Sequence, residues 1–100
     1  MTLSGKDSKT IGRSMEETRE YHARYLTAVN SPIRRNILRA IRRGHTTIEA
    51  LHSDTGLSPE VLEWHLSILE HGFCVEKTII DGKLVYKLTK EGTVVDYTDK

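Results

Sequence analysis

Among 100 residues there is one cysteine, one tryptophan, two prolines and no apolar run longer than three residues. The lone Cys74 excludes an internal disulfide framework and any Cys-rich zinc cage. Runs that short are far from a membrane span. The opening Met1-Thr2-Leu3-Ser4-Gly5-Lys6 has no apolar stretch of the signal-peptide kind, so the cytoplasm is the expected address. There is no Gly-rich phosphate loop, no nucleophile elbow and no His-Glu-x-x-His spacing, so nothing points to an enzyme. The length itself excludes a large catalytic barrel. It suits one small domain with a single core.

Charge is abundant but segregated. The formal net charge is only +1, yet residues 1–46 carry a balance of +6 through ten Lys and Arg against four acids. Residues 47–74 hold no Lys or Arg at all and five acids, Glu49, Asp54, Glu60, Glu63 and Glu70. Such asymmetry points to a charged partner without saying which face meets it.

Residues 1–13 are polar, lack periodicity and read as a flexible N-terminal tail, with residues 14–100 as the domain. Ser14 with Glu17 three residues on fits a capping box. The helix it opens places Met15, Thr18, Tyr21, His22, Tyr25, Leu26 and Val29 on one face before Asn30 stops it. That stripe is either core or a dimer seam. Ser31-Pro32 restarts the chain as N-cap and first helical proline. Ile33, Ile37, Leu38, Ala40 and Ile41 form the next apolar stripe, and Gly44 closes the helix. Arg35, Arg39, Arg42 and Arg43 fall opposite, as a solvated face or a phosphate-contacting one. Arg34 falls inside the apolar arc, where a cation needs a carboxylate or carbonyl partner or must snorkel. A structural ion pair is the expectation there.

Thr46-Thr47-Ile48-Glu49 reads as a second capping box opening a short helix to about Thr55, with Ile48 and Leu51 inward. Gly56 ends it, and Ser58-Pro59 starts another at once, with Val61, Leu62, Leu66, Ile68 and Leu69 on one arc until Gly72. His65 lies within that arc as a core histidine, and Trp64 at its boundary is expected to pack on a neighbouring helix or the wing. Two short helices joined by a tight Gly-containing turn make a helix-turn-helix. The period then changes to two. Val75–Ile80 and Lys83–Leu88 flank Asp81-Gly82, a hairpin signal that pairs Ile80 with Lys83, Thr78 with Val85 and Glu76 with Lys87. Tyr86 reads as core, and Thr89 as the cap of a last short helix to about Tyr97, weakened by Gly92. The fold class is therefore mainly α with a small β-hairpin, a winged helix-turn-helix.

From Tyr25 to about Thr89 the chain resembles ArsR-type winged-helix transcriptional regulators, including many archaeal ones. The resemblance is carried by Ser31-Pro32-Ile33-Arg34-Arg35-Asn36-Ile37-Leu38, Gly56-Leu57-Ser58-Pro59, His65-Leu66-Ser67-Ile68-Leu69, Gly72-Phe73 and Asp81-Gly82-Lys83-Leu84-Val85-Tyr86-Lys87-Leu88-Thr89. It implies a homodimer that binds double-stranded DNA, with Ser58–His71 in the major groove and the Asp81-Gly82 wing along the backbone or minor groove. By position, Ser58, Glu60, Glu63, Trp64 and Ser67 would face bases and Thr46 and Thr47 phosphate, while Lys77 and Lys83 would touch the sugar-phosphate chain. Met15, Tyr21, His22 and Tyr25 would contribute to the dimer interface.

Two departures from that pattern matter. Glu60, Glu63 and Glu70 share the outward face of the expected reading helix with Trp64, Ser67 and His71, and no Lys or Arg accompanies them. A glutamate can accept from cytosine N4, but three carboxylates oppose the phosphate field. The rival expectation is a protein-protein interaction module whose acidic helix docks a basic partner. Thiolate metal sensors of this type carry two or three cysteines, commonly in the helix before the turn, and Glu49–Asp54 has none. Action without metal or other cofactor is expected.

Overall fold

The computed structural model describes residues 15–94. The 1–13 tail and the Ser14 cap lie outside the described residues. Four helices come first: α1 (Met15–Val29), α2 (Pro32–Arg42), α3 (Ile48–Thr55) and α4 (Pro59–His71). A hairpin of β1 (Val75–Ile80) and β2 (Lys83–Leu88) follows, then a 3-10 turn at Glu91–Val94. The expected helix capped by Thr89 is this shorter 3-10 segment, and Tyr97 lies outside the described residues.

Local chemistry sets these boundaries. Ser31 accepts the Arg34 amide at 3.2 Å and Pro32 opens α2. Ser58 accepts the Val61 amide at 3.3 Å and Pro59 opens α4. Removing the Ser58 hydroxyl as Ser58→Ala should cost about 1 kcal/mol in a urea titration. For α3 the cap is Thr47, which accepts the Ala50 amide at 3.1 Å, so the expected box is displaced by one residue. Thr46 is occupied otherwise: its carbonyl accepts the Tyr86 amide of β2 at 2.8 Å and ties the hairpin to the loop before α3. The hairpin has the expected register, with Ile80 opposite Lys83 and Glu76 opposite Lys87. Asp81 and Gly82 both take positive φ, +53° and +78°, as a two-residue turn of this twist demands.

One core joins these elements. Ile37, Leu38, Ala40 and Ile41 of α2 meet Leu51 of α3 and Leu62, Leu66 and Leu69 of α4, with Cys74, Val75 and Tyr86 closing it from the hairpin. Ile33 and Val61, expected in their helices' apolar arcs, are exposed. Both lie in a first turn, where the helix end has run past the core. The α1 stripe departs further. Only Ala28 and Val29 are buried, whereas Met15 is 72% exposed and Tyr21 and Leu26 also face outward.

Gly72 ends α4 without the left-handed geometry expected of a terminal glycine; its φ is −91°. Its role is proximity. A Cβ there would lie 2.4 Å from the Ala28 Cβ and 2.8 Å from the Arg24 carbonyl oxygen, so only glycine lets α1 cross so closely. Phe73 takes the positive φ instead, at +69°.

Candidate nucleic-acid interface

The outward face of α4 is laid out as its helical spacing requires: Glu60, Glu63, Trp64, Ser67, Glu70 and His71 are all exposed. Ser67 donates its hydroxyl proton to the Trp64 carbonyl at 2.7 Å, which leaves its oxygen free only to accept. Trp64, expected to pack on a neighbouring helix or the wing, is largely exposed. It stands 61% exposed, its ring in an edge-type contact with that of its neighbour His65, centroids 4.8 Å apart. At the boundary of an arc, a small rotation decides whether a side chain meets the core or water.

The hairpin flanks this helix. Lys77 reaches to 3.6 Å from Glu70, so part of its charge is already met by the acidic face. Lys83 is exposed at the tip and shares with Thr47, Ile48, Glu49 and Leu84 a cleft of about 240 Å³. Thr47 and Lys83, far apart in the sequence, thus line the same cleft. Thr46 is half-buried beside them. The tip is also apolar: Ile79 is 70% exposed, and its cross-strand partner Leu84 and the adjacent Ile80 are exposed as well. Tyr86 is buried below, and burial pushes its phenol above the ordinary value.

The arginines of α2 are largely engaged within the protein. Arg35 donates to the Val29 carbonyl at 2.8 Å, Arg39 to the Asn36 side chain at 2.7 Å and Arg43 to Asp54 at 2.7 Å. Among the described residues Arg34 has no ion-pair partner. Its Nε donates to the Ala28 carbonyl at 3.0 Å and a terminal nitrogen to the Thr27 carbonyl at 2.9 Å. Helix carbonyls at a C-terminus carry partial negative charge and attract cations. The readable signal was that α1 has no basic residue in its last turn while Arg34-Arg35 follow immediately in the chain. Arg24 plays the same part for α4, donating to the His71 carbonyl at 2.9 Å while lying 4.4 Å over the Phe73 ring. Nothing in the sequence pattern marked that contact.

The four residues expected at a dimer seam divide. Met15 and His22 are exposed on α1, whereas Tyr25 is half-buried against the core. Tyr21 stacks on Phe73 at 4.1 Å and donates to Glu91 at 2.9 Å, a bond that raises its pKa above the ordinary phenol value. Cys74 is buried, and burial, with Glu91 adding, pushes its thiol up to about 11. Little thiolate then forms at neutral pH, which disfavours both nucleophilic attack and metal ligation.

No family model and no curated protein matches this sequence. Solved structures do. The chain is similar to the homodimeric winged helix-turn-helix DNA-binding domain of a possible ArsR-family transcriptional regulator from Mycobacterium bovis. The TM-score is 0.75 at 18% identity, over 97% of this chain and 87% of that one. It is also similar to NolR from Sinorhizobium fredii, with a TM-score of 0.69 at 22% identity over 97% and 92% of the two chains. The transcriptional repressor BigR from Xylella fastidiosa gives 0.65 at 22% identity over 83% and 87%. Four helices followed by an antiparallel hairpin, superposing on these domains over 83% or more of its length, give this protein the winged helix-turn-helix fold.

Proposed function

We propose that the protein is a DNA-binding transcriptional regulator of the ArsR-like type, acting in the cytoplasm as a homodimer and without a metal. The observation that carries this reading is that α4 leaves its outer face to solvent while α3 and the hairpin pack beside it. On this scaffold that face is the one a major groove admits. The similar M. bovis domain is described as DNA-binding and homodimeric, and the exposed length of α1 suits such a seam. The sources named above lend nothing to an archaeal affinity. The proposed metal independence rests on there being a single cysteine, Cys74, and on its burial. No described helix is long and apolar enough to cross a membrane.

Duplex affinity measured against salt tests the reading. Lys83→Ala should lower the magnitude of the log–log slope by about 1 per protomer, about 2 for the homodimer, the share of one phosphate contact in each. Lys77→Ala should change it less, because Glu70 already meets that ammonium. A slope unmoved by Lys83→Ala removes the wing tip from the interface.

A second reading, a protein-interaction module, is favoured by one specific observation. Trp64 stands exposed among Glu60, Glu63 and Glu70, a surface suited to the cationic side chains of a basic partner.

A further inference from the structure

Three helices meet at one guanidinium. Besides its two bonds to the last turn of α1, Arg34 of α2 points its remaining terminal nitrogen at Nδ1 of His65 in α4, 3.2 Å away. Arginine has donors only, so Nδ1 must accept, and the neutral ring carries its proton on Nε2. The contact exists only while His65 is uncharged. His65 is 7% exposed, so little water reaches it to soften a second positive charge beside Arg34.

The surroundings leave little to replace this contact. From α2 the charged group facing the imidazole is Arg34; from α1 come the Thr27 and Ala28 carbonyls held by that same arginine; within α4 the neighbour is the uncharged Trp64 ring. Burial first, and Arg34 second, both lower the pKa of His65. The end of α1 that Arg34 grips is also the only part of that helix with buried residues, Ala28 and Val29.

We propose that Arg34 and His65 form an acid-released latch between α1 and α4. A proton from solvent takes the Nδ1 lone pair, Arg34 keeps all its own protons, and the hydrogen bond becomes two cations face to face. The guanidinium then withdraws, loosening its hold on Thr27 and Ala28, and the last turn of α1 shifts against α4. This latch is a property of the single chain and needs no DNA, so it stands or falls separately from the function proposed above.

An acid titration of the full chain by NMR, from about pH 8 to about pH 4, follows both partners at once. The amides of Thr27, Ala28 and Val29 should shift in one transition that shares its midpoint with the His65 ring carbons, below the ordinary histidine value of about 6.5. Fluorescence of Trp64, the single tryptophan, gives the His65 midpoint independently. In His65→Gln the amide oxygen can accept from Arg34 at every pH, and the α1 transition should vanish. The same variant checks the linkage. Native His65 stays neutral while the unfolded ring takes a proton below about pH 6.5, so the wild-type chain should lose stability relative to His65→Gln as pH falls through that value, by at most about tenfold in the folded ratio per pH unit. An α1 transition absent from the wild-type chain, or persisting in His65→Gln, overturns the latch. Should that variant not fold, Arg34→Met serves: the His65 midpoint should rise and the α1 amides cease to follow it. An unmoved midpoint overturns the proposal equally.

Discussion

Gly92→Ala should destabilise the protein by about 1–3 kcal/mol, the usual cost of forcing an atom into a filled site. For a domain of this size, each kcal/mol lowers the melting temperature by about 4–8 °C. A Cβ at position 92 would lie 2.1 Å from the Cys74 carbonyl oxygen and 3.1 Å from a Leu88 methyl carbon. That carbonyl cannot retreat freely, because it accepts the Thr89 amide at 3.0 Å. Thr89 is fixed in turn by donating to the Phe73 carbonyl and accepting the Gly92 amide at 3.1 Å. Helix propensity alone argues the opposite sign, a gain of up to about 1 kcal/mol on replacing glycine by alanine. Thermal melts of the two proteins decide between them. Cys74 supplies a local readout, since its buried thiol should react faster with an alkylating reagent once the Glu91–Val94 turn is displaced. A variant that melts at or above the wild-type temperature would falsify the close approach.

Reversing two charges on α4 should have the largest effect on binding. Glu60 and Glu63 are both exposed on its outer face. If that face lies against phosphate, Glu60→Lys with Glu63→Lys removes two repulsions and adds two attractions. Each phosphate neutralised is worth a slope of about 0.9, so the pair should steepen the salt dependence by nearly 2 per protomer and strengthen nonspecific duplex binding roughly tenfold or more at low salt. Under the rival reading the same variant leaves duplex binding near its starting value and abolishes capture of a lysine-rich peptide. Titration against mixed-sequence duplex and against that peptide separates the two.

Elements set by local chemistry were legible from the residues. Ser31-Pro32, Ser58-Pro59 and Asp81-Gly82 each determine a boundary through one hydrogen bond or one backbone preference, and each lies where those preferences put it. What depended on distant partners was not legible. Two adjacent threonines compete to cap α3, and the choice is made by Tyr86, forty residues later, which draws Thr46 into pairing. For Arg34 a carbonyl was among the partners the sequence allowed, but an ion pair was favoured because sequence shows charges, whereas helix-end carbonyls are the same at every residue. Gly72 and Gly92 look like helix punctuation until the neighbouring backbone is seen to lie against them. For the candidate site, the outward set on α4 followed from its period, but the exposure of Trp64 and the meeting of Thr47 with Lys83 required the packed structure.

The bond between the Tyr86 amide and the Thr46 carbonyl has a mechanical consequence. It makes the hairpin and the start of α3 one stiff piece, so the wing has little freedom to swing toward a surface of the wrong curvature. A duplex engaging both would have to do the adjusting itself, by opening or narrowing its grooves. Selectivity would then arise partly from how easily the intervening base steps deform, at positions no side chain touches.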